Sequence, residues 1–278
     1  REGEGYKRPT NFIKEKIISP LIDKSSSGVG TNETASSYLT SLMDGKNVFS
    51  YPKPVSLIKY LINFICKDND IVMDFFSGSG TTADAVLRYN VEKRDAKLKF
   101  ILVQLPEDLD KNLKTSDTNS KELLLNGISL LDNIHKPHKL TELAKYRLIR
   151  TIDSIKMENP ESKQDLGFRV FRIDSGNYKD VTMQPNEYDQ QMLDLFVDNI
   201  KADRTDLDLL FGAMLAWGVQ LSLPMTTEEV DGCKIYAVDG NGLVACFAEN
   251  ISENVVQAMA AKQPLRVLFR DSCFDEDK

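Results

Sequence analysis

The sequence predicts an α/β protein in two parts, a helix-covered parallel sheet followed by a smaller α+β domain. Three observations carry that reading. An apolar strand, a glycine turn, a helix and a second strand run from residue 71 to residue 105, the order of a right-handed βαβ unit. A polar stretch, MENPESKQDLG at 157–167, then interrupts the chain as a linker does. The charge balance also reverses: residues 1–150 hold 23 Lys/Arg against 19 Asp/Glu, and residues 151–278 hold 12 against 23. The first part suits a phosphate-tracking surface, and the second is poorly suited to holding DNA by charge alone.

Residues 1–45 read as a linker or tail, with the small polar stretch DKSSSGVGTNETASS at 23–37 as a loop. PVSLIKYLINFIC predicts a helix starting at Pro54, with Ile58, Leu61, Ile62 and Ile65 at helical spacing; KDND ends it. IVMDFF is a short apolar strand. TTADAVLRYN is a helix with Ala83, Val86 and Leu87 on one face, and KFILVQLPE a strand stopped by Pro106. KLTELAKYRLIRTIDSIK gives a further helix, its stripe running through Leu140, Leu143, Ala144, Leu148, Ile152 and Ile155. Together these elements make a unit over 46–158.

In the second domain, 167–278, FRVFRID reads as a strand and helices are expected around 188–199 and 205–217. KIYAVDGNGLVACFA reads as a hairpin turning at Asp239–Gly242, SENVVQAMAA as a short helix, and LRVLFRD as a closing strand.

The composition, 41% apolar and 28% charged, is that of a soluble globular chain, and no apolar run approaches the ~20 residues that cross a bilayer. The opening REGEGYKRPT has neither Met nor a signal-peptide pattern, so the chain reads as a piece of something longer. Cys66, Cys233, Cys246 and Cys273 lack CxxC spacing and read as thiols in a reducing cytoplasm. His135 and His138 flank a proline in NIHKPHKL, a surface turn with too few ligands for a metal.

The chemistry concentrates at DFFSGSGTT, residues 74–82. Gly78, Gly80 and Ala83 satisfy G-x-G-x-x-A, the dinucleotide fingerprint. Two residues oppose that reading. A nicotinamide site wants an acid at the end of the second strand for the ribose, where this chain has Gln104. Asp74, at the end of the first strand, would oppose a pyrophosphate. A phosphate loop fails because no Gly-Lys-Ser/Thr closes the turn. A tight turn that holds no ligand is the plain alternative. S-adenosylmethionine fits: its ammonium suits Asp74, and its carboxylate suits the backbone N–H groups of a helix N-terminus. Gly78 and Gly80 remove the β-carbons that would block approach, and Gln104 can reach a ribose hydroxyl. Phe75 and Phe76 offer an apolar wall or join the core.

FSYPKPVSLIKYLI followed by DIVMDFFSGSGTTADAVLRYN and FILVQLPE resembles the amino-methyltransferases of DNA, and among them the modification (Mod) subunit of type III restriction-modification systems. GTNETASSYL, ELAKYRLIRTI, GFRVFRID and PLRVLFRDS resemble that subunit's later segments, so the resemblance covers nearly the whole chain. It implies a Rossmann-like S-adenosylmethionine-dependent methyltransferase portion, in a bacterial cytoplasmic protein. It places Lys53 and Pro54 beside the glycine turn. The glycine block carries over to Asp74, Phe76, Gly78, Gly80 and Thr81, with Phe75, Ser77 and Ser79 completing the candidate set. Gln104 departs from the acid that relatives often have.

The family's catalytic tetrapeptide, Asp/Asn-Pro-Pro-Tyr/Phe, precedes both blocks. The ten prolines here include no Pro-Pro pair, so no catalytic residue is assigned in this chain. By resemblance the intact protein methylates N6 of adenine in double-stranded DNA, bound mainly by regions upstream, and acts as a homodimer with a restriction (Res) subunit. Two other readings stand beside it: a non-catalytic dimerisation or assembly module, and an NAD-binding oxidoreductase. Lys139, Lys145, Arg147 and Arg150 read either as phosphate contacts or as a solvated helix face, as do Lys7, Arg8, Lys14 and Lys16. Trp217, in DLDLLFGAMLAWGVQLSLP, reads as core or as a subunit interface.

Overall fold

A computed structural model of the chain describes residues 28–179 and 199–273. The chain divides into two compact units, residues 1–167 and 168–278. The first holds α1 (Asn32–Leu42), α2 (Val55–Ile65), β1 (Ile71–Asp74), α3 (Thr81–Glu92), β2 (Lys99–Leu102), α4 (Leu109–Thr115), α5 (Thr118–Asn133) and α6 (Leu140–Glu158).

Part of the stretch expected as a loop is helical. Thr31 caps α1 by accepting a hydrogen bond from Thr34 N, and Leu39, Leu42 and Met43 bury its far end. Leu39 and Met43 join Val48, Leu109, Leu130, Leu131 and Leu143 in one cluster, so α1, α4, α5 and α6 pack together. α4 and α5 were not expected from sequence; Asp108 and Asp117 cap them.

β1 and β2 pair in parallel, Ile71 opposite Lys99 and Asp74 opposite Leu102. Val72 and Phe100 pack on Ile62, Ala85, Val86 and Leu98, which places α2 and α3 on that face. The alternate residues Ile71, Met73 and Ile101 are exposed, and Val103 and Leu105 beyond β2 are exposed too. A parallel sheet is normally covered on both faces. Here one face is bare among the described residues.

His138, just before α6, ties that helix to its neighbours. Its Nδ1 lies 2.9 Å from Asp110 Oδ2 and its Nε2 2.9 Å from Asp132 Oδ1. A neutral imidazole donates from one nitrogen only, so two carboxylates select the imidazolium. The bonds to Asp132 and Asp110 raise the His138 pKa above its ordinary 6.5. With the folded value above the unfolded one, this clasp stabilises fully below about pH 6.5 and fades as pH rises through the folded value. His138→Gln should therefore flatten the decline in stability above neutrality. Urea midpoints across that range check it; an equal decline in both proteins would contradict it.

The second unit holds α7 (Asp206–Ala216), β3 (Met225–Val230), β4 (Cys233–Val238), β5 (Leu243–Cys246), α8 (Glu253–Ala261), β6 (Val267–Phe269) and one 3-10 turn. Its sheet runs β3-β4-β5-β6, with the last pair parallel and the others antiparallel. Tyr236, Val238, Leu243 and Ala245 face Leu209, Leu210 and Met214 of α7. Ile235, Ala237, Val244 and Cys246 face Val255 and Met259 of α8. One helix therefore covers each face, and β5 is buried throughout. The β4–β5 turn has Asp239 at φ 53° and Gly240 at φ 69°, as the sequence suggests.

Two expectations fail here. FRVFRID forms no strand: it has no ladder partner among the described residues, and Ile173 is 96% exposed. Trp217 is not core; it follows α7 at 42% exposure, with the Arg266 guanidinium 5.5 Å from its ring centroid. The helix expected at 188–199 falls almost wholly outside the described residues. All four cysteines are free thiols. No helix among the described residues is long and apolar enough to cross a membrane.

Candidate functional site

The turn between β1 and α3 is built from backbone strain and inward hydrogen bonds. Gly78 and Gly80 adopt φ 50° and 81°, where a side chain is disfavoured. Asp74 closes β1: its Oδ1 accepts from Phe76 N at 3.1 Å and its Oδ2 from Thr82 Oγ1 at 2.6 Å. Gly80 N donates to Ser77 O at 2.7 Å, and Ser77 N to Val103 O at 3.2 Å. The strand ends are thereby stitched to the turn.

Gln104, just past β2, points at this turn. Its Oε1 accepts from Gly78 N at 2.8 Å. Phe75 and Phe76 are exposed, the latter at 81%, with ring centroids 5.1 Å apart, so neither belongs to the core. Ser77, Ser79 and Thr81 are buried. Lys53 is exposed, and Pro54 is buried at the start of α2. Pro54 lines a cavity of about 220 Å³ with Tyr38 and Arg88; Lys53 is not among its lining residues, nor is any residue of the 74–82 turn.

α3 starts at Gly80 without a side-chain cap, although Thr81, Thr82 and Ala83 are buried. The first N–H groups of a helix need partners, and a buried start without a cap is a natural anion site. A Cβ on Gly78 would meet only Phe76 O, at 3.9 Å, so the space it would fill is open. An acid at a strand end, open space over a glycine and an uncapped helix start suit a ligand carrying both ammonium and carboxylate. They suit a diphosphate poorly.

Behind the turn lies a charge cluster that sequence reasoning missed. Arg147 of α6 is 2% exposed. Its Nη1 contacts Ser79 Oγ at 2.7 Å, Thr81 Oγ1 at 2.9 Å and Ser79 O at 3.2 Å. Its Nη2 donates to Asp84 Oδ2 at 3.1 Å. Asp84, 0% exposed, also accepts from Tyr38 OH at 3.0 Å, Thr151 Oγ1 at 3.3 Å and Arg88 Nε at 3.1 Å. Arg88 Nη1 donates to Glu158 Oε2 at 2.8 Å. Burial works against the Arg88 charge, but Glu158, Tyr38 and Asp84 together raise its pKa. The bond from Arg88, and then that from Ser154, lowers the Glu158 pKa. Burial first, and Asp84 second, raise that of Tyr38.

Each of the four basic groups named on α6 is paired with an acid, and only Arg147 is buried. Lys139 pairs with Asp108 at 2.8 Å, Lys145 with Glu142, Arg147 with Asp84 and Arg150 with Asp44 at 3.5 Å. Lys7, Arg8, Lys14 and Lys16 lie outside the described residues. Among the described residues no cluster of His, Cys, Asp or Glu could hold a metal ion.

Residues 19–108 match the family described as DNA methylase. The chain is 34% identical over 129 residues to the Type III restriction-modification enzyme StyLTI Mod subunit of Salmonella typhimurium, covering 46% of this chain and 17% of that relative. It is 26% identical over 261 residues to the EcoPI Mod subunit of Escherichia phage P1, covering 89% and 36%. It is 26% identical over 242 residues to the EcoP15I Mod subunit of Escherichia coli, covering 83% and 32%. The chain thus spans about a third or less of the length of these relatives. The residues matched to the DNA methylase family include the glycine turn, and the chain is similar over most of its length to type III modification subunits.

Proposed function

We propose that the 74–82 turn holds S-adenosylmethionine by its methionine end, within a Rossmann-like domain of a type III modification subunit that methylates N6 of adenine in double-stranded DNA. The observation that carries this reading is an acid and an uncapped helix start set about one bare glycine, at Asp74, α3 and Gly78. When bound, the cofactor supplies an electrophilic methyl group on its sulfonium. Asp74 receives the ammonium, and the N–H groups opening α3 orient the carboxylate. Phe75 and Phe76 shield the ligand from water, and Lys53 and Pro54 flank it. Gln104 fixes the turn through Gly78 N and offers its amide to the ribose. The same carboxylate disfavours NAD, because it would oppose the pyrophosphate.

One sheet face is bare among the described residues, and this reading fills it with further chain that also carries the motif holding the target amine. The base must leave the stack to meet the methyl group, at roughly a few kcal/mol. DNA, a second copy and a restriction subunit are the partners this reading assigns, in a bacterial cytoplasm.

Melting of the full-length protein tests it: S-adenosylmethionine should raise the midpoint, and NAD should not. Stabilisation by NAD alone would contradict the reading. The 278-residue chain by itself should transfer no methyl groups, since it has no Pro-Pro motif to grip the amine. Radiolabel transferred to plasmid DNA by that purified chain would overturn this.

A further inference from the structure

We infer that Arg147 is a positioning residue for the glycine turn, holding Ser79 and Thr81 in the shape that receives the methionine end of the methyl donor. The inference deepens the proposed function and rests on it. Glycines at positive φ make the turn malleable; Asp74 and Gln104 hold Phe76, Gly78 and Thr82, and Ser79 and Thr81 need a constraint of their own. Arg147 supplies that constraint from the far side of α3. One nitrogen of its guanidinium meets Ser79 O, Ser79 Oγ and Thr81 Oγ1; the other meets Asp84. Its Nε has no hydrogen-bond partner.

The direction of these bonds matters. A serine or threonine caps a helix from the N-cap position, which here is held by Gly80. Here Ser79 Oγ and Thr81 Oγ1 are drawn to the guanidinium and lie 3.3 Å from each other. α3 starts with no side-chain cap because its N-cap is Gly80, so its first N–H groups stay open to a ligand. By gripping the two hydroxyls that flank Gly80, Arg147 fixes the backbone that presents those N–H groups. Lysine can replace the charge but not the fork that reaches the turn and Asp84 together.

Full-length Arg147→Lys tests the inference. The Kd and KM for S-adenosylmethionine should both rise about tenfold, because fewer molecules hold the binding-competent turn. kcat should stay within about twofold, and DNA affinity should be unchanged. A lower melting midpoint with unchanged Kd and KM would overturn it, leaving Arg147 a brace and no more. If Arg147→Lys does not fold, Ser79→Ala decides, with an expected rise in KM of about threefold; no rise overturns the inference. Wild-type and Asp74→Ala proteins are titrated in parallel. Failure of the wild type to bind the cofactor, or equal binding by Asp74→Ala, sinks the proposed function and this inference with it. Normal behaviour of both, with Arg147→Lys matching the wild type, sinks this inference alone.

Discussion

Replacing Asp84 with alanine should destabilise the first unit by about 3–5 kcal/mol, the loss expected when one partner of a buried ion pair is removed. Asp84 and Arg147 are 0% and 2% exposed, and the carboxylate also anchors Tyr38, Thr151 and Arg88. Without it two guanidiniums lose their shared anion, and Arg147 stays buried beside a helix N-terminus whose dipole repels it. The pair is not itself a large source of stability, since desolvating both charges offsets much of their attraction. Asp84→Leu combined with Arg147→Met should therefore recover part of the loss. Urea unfolding followed by circular dichroism measures both. A cost below about 1 kcal/mol for Asp84→Ala would show the cluster to be solvated.

Replacing Gly80 with valine should damage both stability and cofactor binding, for a conformational and not a steric reason. A Cβ at this position would meet only Leu102 Cδ1, at 3.8 Å, an ordinary contact. The backbone sits at φ 81°, ψ 25°, where a side chain costs about 1–2 kcal/mol. A β-branched side chain should cost more than alanine, whose penalty should stay near the lower figure. Relief of that strain would flip the turn and move the start of α3. S-adenosylmethionine affinity should then fall by about a hundredfold or more in Gly80→Val, equivalent to about 3 kcal/mol. Equal effects of alanine and valine would show that any Cβ at this φ sets the whole cost, and would contradict the added penalty for branching.

What could be read from the sequence depended on whether the signal was local. The β1–turn–α3–β2 run was legible because apolar strands, positive-φ glycines and a helical stripe all lie within one short window. The stripe of α6 and the Asp239–Gly240 turn were legible for the same reason. β3 was missed because Met225–Val230 is an exposed edge strand without apolar alternation, held by pairing with β4. FRVFRID erred the other way, since its alternation suits a strand but no partner strand is present among the described residues. Asn32–Leu42 was hidden behind serines, threonines and glycines that looked like loop, while its anchoring contacts come from α5 and α6.

The candidate site divides along the same line. Asp74 was named from its place at a strand end and the glycines from their spacing, with the family resemblance pointing to both; Gly78 and Gly80 adopt positive φ. Arg147 was read as a surface cation because its partners are 63 to 68 positions away in the chain. One clue was available: it sits four residues from both Leu143 and Thr151, on the helix side that turns inward. Gln104 was placed correctly at a strand end, yet its bond to Gly78 N depends on the parallel register of β1 and β2.

The account turns on a carboxylate that meets an amine. Calorimetric titration of the full-length protein, wild type and Asp74→Ala, with S-adenosylmethionine and with an analogue carrying hydrogen in place of the α-amino group tests this most directly. The account predicts that the wild type loses about 10- to 100-fold in affinity when the amino group is removed, the worth of one charged hydrogen bond, whereas Asp74→Ala binds both ligands alike. An equal loss in both proteins would mean that the amine is held by some other group, and the assignment of Asp74 would be wrong.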